Sequence, residues 1–240
     1  MDINPFGVLA SNVKTNNLDV QLLNLKFEDL IANIKAANQC TEQQTMFSIK
    51  GISEVDVAGI ADINKQIYID FPDVEKWFDT EVIKELSTIK YFLLQMPHDE
   101  YREFFSLGFF AIIRRVSKAH DAEVRPHVNP KKKQRRAFDA YVKKLDEMIS
   151  TMHSWNQVTT KATESHTFIC DNSNEVDVTA HIDELKHRYK KNLGLVISHP
   201  PYLNCFDYIP VYRLKFLWAF GFKEIYGQIP YQEIKREEIK

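Results

Sequence analysis

Residues Ile197 to Tyr208 read Ile-Ser-His-Pro-Pro-Tyr-Leu-Asn-Cys-Phe-Asp-Tyr, directly after the short apolar run Gly194-Leu195-Val196-Ile197. The two prolines fix the backbone and remove two N–H donors, so a strand cannot continue through them. Tyr202 then stands on a rigid loop as one flat ring. His199 accepts one hydrogen bond when its imidazole is neutral, a form it loses below about pH 6.5. In open α/β sheets ligands bind beyond the carboxyl ends of strands, where this loop would lie. A second cluster, Arg125, Lys131, Lys132, Lys133, Arg135 and Arg136, falls within twelve residues. It can neutralise several phosphates or form an ordinary solvated loop. Other chemistry finds little support. Cys40, Cys170 and Cys205 are far apart and lack CxxC spacing, which argues against a zinc site or a disulfide framework. His98, His120, His127, His153 and His187 lie in polar contexts without a nucleophile turn.

The elements that must position these residues follow from periodicity. The 240 residues include 31 Lys and Arg against 33 Asp and Glu, a formal charge of −2, so any attraction to nucleic acid must be local. Sixteen Phe and ten Tyr against seven Gly point to buried helix faces rather than an all-β fold. Pro5 predicts a strand ending before it and a helix starting at or after it. Leu18, Leu22, Leu25, Leu30, Ile31 and Ile34 predict a helix over 18–37. Residues 39–62 show no sustained period. From Val74 to Leu93 one apolar stripe predicts a helix ended by Pro97, and 99–117 predicts a helix apolar over most of its circumference. Another helix is expected from after Arg136 to about Trp155. Thr167 to Cys170 and Gly194 to Ile197 then read as strands flanking a helix through Ile182, Leu185 and Tyr189, the βαβ unit of a parallel sheet. An apolar helix is expected over 208–222.

The His199-Pro200-Pro201-Tyr202 run resembles the fourth motif of the S-adenosylmethionine-dependent methyltransferases that modify an exocyclic amino group of a DNA base. Asp2-Ile3-Asn4-Pro5-Phe6-Gly7 resembles their second motif. Between them, Phe71-Pro72, Trp77-Phe78, Glu85-Leu86, Phe104-Phe105, Val116-Ser117 and Arg125-Pro126 are similar to an inserted helical region in the same class, so the likeness spans nearly the whole chain. It implies that the target base is flipped out of the duplex and stacks on Tyr202, with Pro201 fixing the loop. The carbonyl of Pro200 and the side chain at position 199 would accept hydrogen bonds from the amino group. A conjugated amine is a poor nucleophile, and such acceptors direct its lone pair toward the sulfonium methyl. Asp2 would bind the ribose hydroxyls of S-adenosylmethionine and Asp171 would lie near its adenine; Asp171 fits a turn or helix cap equally well. Two departures stand out. Position 199 is His where the family has Asp, Asn or Ser, and no Gly-x-Gly occurs in the chain.

The expectations are therefore an α/β fold, a partial Rossmann-like methyltransferase sheet with a large helical insertion. Strands are expected near 1–4, 167–170 and 194–198. Residues 1–40 and 160–240 would form a partial catalytic domain, and 41–159 a mostly helical target-recognition lobe. The function implied is site-specific DNA methylation at adenine or cytosine by a fragment or split subunit of a restriction-modification enzyme. DNA is the partner, and a second polypeptide would supply the Gly-rich cofactor motif. The alternative is an inactive DNA-binding remnant. A cytoplasmic location without membrane association is expected, since no apolar run approaches the roughly 20 residues that span a bilayer.

Overall fold

The computed structural model describes residues 4–43, 57–71, 73–133, 135–159, 178–190 and 208–222. Local chemistry explains where its helices start. Asn4 Oδ1 accepts from Phe6 N at 3.1 Å and Pro5 occupies the first turn of α1 (Pro5–Thr15), where a missing N–H costs nothing. Asp19 Oδ1 accepts from the amides of Gln21 and Leu22, opening α2 (Val20–Gln43). α3 (Val57–Asp70) falls partly in the stretch that showed no period.

The stripe from Val74 to Leu93 is not one helix. It divides into α4 (Val74–Trp77) and α5 (Thr80–Gln95), with Phe78 and Asp79 extended between them. The stripe survives the break because Phe78 is itself buried. α6 (Glu100–Val116) starts at Asp99, whose carboxylate accepts from Arg102 N at 2.8 Å. α7 (Ala137–Val158), α8 (Val178–Tyr189) and α9 (Tyr208–Ala219) complete the helices among the described residues.

α6 lies at the centre, packed against α1, α5, α7 and α9. Phe104, Phe105, Phe109, Phe110, Ile112 and Ile113 on it are all buried, while Glu103, Leu107, Ala111 and Arg115, four residues apart, form the one stripe left uncovered. Phe110 meets Phe6 of α1 edge-on at 5.0 Å between ring centres and Phe222 at 5.0 Å; Phe109 stacks on Phe222 at 6.0 Å. Edge-to-face and offset geometries of this kind align the positive ring edges with negative ring faces. Trp218 of α9 wedges between Phe78 and Phe109. At the crossing with α7, Tyr141 donates its hydroxyl to Phe105 O at 3.1 Å. Gly108 allows a close approach there, since a Cβ at this position would lie 2.6 Å from Leu145 Cδ2. The far end of α7 holds the α1–α2 turn: Asn156 Nδ2 donates to Leu18 O at 2.7 Å and Thr159 Oγ1 to Asn17 Oδ1 at 2.8 Å.

Two expectations are corrected. The α/β fold, a partial Rossmann-like methyltransferase sheet, is overturned: the described residues are helical and contain no strand, their one β feature being an isolated bridge between Ala119 and Val128. Residue 4 is a helix cap, and the segments 1–3, 167–170 and 194–198 lie outside the described residues. The physical reason is that α1 and α9 bury their aromatic faces directly on α6, helix on helix. On α2, Leu22 and Leu25 are exposed, while Leu23, Leu30, Ile34 and Ala37 face the core at the true 3.6-residue period.

Candidate nucleic-acid interface

The loop joining α6 to α7 carries the six clustered cations. Its stem is short. Asn129 N donates to Lys118 O at 2.7 Å and His120 N to His127 O at 2.9 Å, flanking the Ala119–Val128 bridge. Lys118 N donates to Trp77 O at 2.7 Å, and Lys118 Nζ pairs with Asp79 Oδ1 at 2.6 Å and reaches Glu75 O at 3.1 Å. The stem is thereby moored to the α4–α5 corner.

Arg114, in the last turn of α6, gathers the first half of the loop. Its guanidinium donates to the carbonyls of His120 at 2.8 Å, Val124 at 3.0 Å and Glu123. Its donors lie in a planar fork, which lets one side chain hold three separate carbonyls. Beyond Val128, Asn129 Oδ1 accepts from Lys131 N at 3.0 Å and Asn129 O from Lys132 N at 3.1 Å, an Asx-type turn.

The six cations divide by what they touch. Lys132 is drawn inward: its side chain is only 11% exposed, and its ammonium donates to Ala119 O at 2.9 Å, Arg114 O at 3.3 Å and Asp121 Oδ1 at 2.7 Å. The hydrogen bond from Lys132, strengthened by the charges of Lys132, Arg135 and Arg114, holds the Asp121 carboxyl below its ordinary range. Arg136 binds Glu85 of α5, with Nε and Nη2 each 2.8 Å from Oε1. Glu85 is buried, and its other oxygen accepts from Ala137 N at 2.6 Å and Phe138 N at 3.2 Å. Arg136 offers no side-chain cap of its own to α7. A carboxylate from a distant helix therefore caps α7, where the helix dipole also favours negative charge.

Arg125, Lys131, Lys133 and Arg135 remain, all exposed. The acidic side chains of the loop are engaged, Asp121 by Lys132 and Glu123 by His127, whose Nδ1 lies 2.5 Å from Glu123 Oε2. The outer surface of the loop thus presents four cations on a backbone fixed at both ends, an arrangement suited to phosphate oxygens.

Asp2, Asp171, His199, Pro200, Pro201 and Tyr202 lie outside the described residues, so the structure does not bring them together with the loop. Sequence reasoning missed Arg114, Lys118 and Glu85, the residues that shape the loop. All three bind partners 6 to 53 residues away and carry no local mark. Among the described residues no helix is long and apolar enough to cross a membrane. Comparison with protein-family models, curated proteins and solved structures found no match.

Proposed function

We propose that this chain is the DNA-engaging part of an S-adenosylmethionine-dependent methyltransferase acting on the exocyclic amino group of adenine or cytosine. The observation that carries the reading is the His199-Pro200-Pro201-Tyr202 run, six residues ahead of α9 when counted from Tyr202. S-adenosylmethionine would supply the methyl group. Of this chain's residues, Tyr202 would stack on the flipped base, and Pro200 O and His199 would accept hydrogen bonds from its amino group. Asp2 and Asp171 would contact the cofactor, and a second polypeptide would contribute the Gly-x-Gly turn that is absent from these 240 residues. The exposed cations Arg125, Lys131, Lys133 and Arg135 support the DNA part of the reading, since their loop is held rigid by Arg114 and Lys132.

A second reading, an inactive DNA-binding remnant, is favoured by His199 in the position of an obligate acceptor. Protonated, it donates rather than accepts. One measurement separates the readings and a second tests the DNA binding that they share. Calorimetry with S-adenosylmethionine, with and without the polypeptide encoded immediately upstream, is expected to show binding only with the partner; no binding in either case leaves the remnant. Fluorescence anisotropy with duplex DNA tests both. Replacing Arg125, Lys131, Lys133 and Arg135 together by Gln should reduce the slope of log affinity against log salt by roughly 3 to 4, at about 0.9 for each phosphate that is no longer neutralised. An unchanged slope would remove the loop from the interface.

A further inference from the structure

A small cavity of about 130 Å³ lies where the basic loop meets α6 and α9, lined by Arg114, Pro126, Val211, Tyr212, Leu214 and Lys215. Two of these six residues are cations on different helices. The Lys215 ammonium sits 4.9 Å from the ring centre of Tyr212 and 5.7 Å from that of Phe6. Among the described residues no carboxylate pairs with it. Burial first, and the charge of Arg114 second, bring the Lys215 pKa down to about 8. Arg114 Nη atoms are engaged with loop carbonyls, yet its Nε is buried without an acceptor. Two like charges line one space, and an anion between them relieves their repulsion.

We propose that this cavity binds a phosphate group, and that its occupant is a phosphodiester of the DNA backbone, an identification that rests on the DNA-binding reading above. The volume is several times the roughly 30 Å³ that one water occupies in the liquid, which leaves room for a tetrahedral oxyanion. A phosphate offers several acceptor oxygens to the Lys215 ammonium, beside the positive charge of Arg114. Pro126 on the cavity wall follows Arg125 in the chain, which sets the cavity beside the basic loop. A backbone crossing that loop would set one phosphate between α6 and α9.

The test uses the full chain with inorganic phosphate as one probe and duplex DNA as the other. Phosphate is expected to bind by calorimetry, with binding weakened roughly tenfold in Lys215→Met, as for loss of a charge-assisted hydrogen bond, and retained in Lys215→Arg. In the DNA experiment Lys215→Met should lower the salt slope by about 0.9. Should Lys215→Met fail to fold, phosphate must still protect Lys215 of the unaltered chain from acylation at pH 8, read by mass spectrometry. Equal phosphate binding by the Met variant, or no protection, overturns the cavity and leaves the DNA reading untouched. Lys215-dependent phosphate binding with an unchanged DNA slope overturns the backbone occupant in favour of a free phosphorylated compound. If the unaltered chain binds phosphate through Lys215 but no DNA at all, the DNA reading itself fails.

Discussion

Replacing Glu85 by alanine should destabilise the protein far more than an acidic-to-apolar change on a helix normally does, because this carboxylate serves a helix other than its own. Its Oε2 accepts from Ala137 N at 2.6 Å and Phe138 N at 3.2 Å, and the side chain is buried. Removing it leaves two amides in the first turn of α7 without an acceptor. Loss of an N-cap costs about 1 kcal/mol, and a hydrogen bond to a charged group contributes about 1.5–3 kcal/mol. These overlap, so the expected loss is about 2–3 kcal/mol. The Arg136 pair adds little, since that side chain is 62% exposed and water screens it. Glu85→Gln keeps an oxygen for Ala137 N but loses the charge, and should cost about half as much. Urea unfolding of the two variants and the parent measures this directly. An Ala variant within about 0.5 kcal/mol of the parent, the range of ordinary surface changes, would refute the remote cap.

Lys132 and Lys133 are neighbours with opposite expectations. Lys132→Met should lose about 1–3 kcal/mol by leaving the carbonyl of the buried Ala119 without its donor, whereas Lys133→Met should stay within about 0.5 kcal/mol, both read from urea midpoints. Asp121 has a folded pKa below its ordinary value of 3.8, so its contribution is present above that value and is lost as pH falls through the folded pKa. Because the side chain is 69% exposed the contribution is below about 1 kcal/mol, and the stability gap between the parent and Asp121→Asn should close as pH drops below about 4. A gap that persists at lower pH contradicts the Lys132 pairing. At Gly108 an added Cβ would meet the buried Leu145 at 2.6 Å, so Gly108→Ala should lower the unfolding temperature. Overpacking by about 1–3 kcal/mol outweighs the roughly 1 kcal/mol that alanine gains in a helix interior, and a more stable variant would show that Leu145 yields freely.

Much of the helical content was legible because it is local. Asp99 at the start of α6, Pro5 at the start of α1 and the apolar stripes of α5, α6 and α7 act through neighbours three or four residues away. The break at Phe78-Asp79 was not legible, since both pieces bury the same apolar residues and periodicity alone cannot see a corner. The α/β reading failed for a related reason. The apolar faces of α1 and α9 fit a sheet or a helix as neighbour, since a pattern of buried positions does not say what will be packed against it. Only the tertiary structure pairs Phe6 with Phe110 and Trp218 with Phe109, which turns the described residues into helices on helices.

For the candidate interface the division is the same. By itself the sequence determined that six cations fall within twelve residues, and it carried the Pro-Pro-Tyr run and its likeness to DNA amino-methyltransferases. Only the fold decided which cations remain outside. Lys132 was taken inward by carbonyls of the α6 end and the loop stem, and Arg136 was held by a carboxylate 51 residues away. Charge is a property of each residue alone, but whether a charge is available depends on acceptors brought near by folding, and those are set by three-dimensional packing rather than by spacing along the chain.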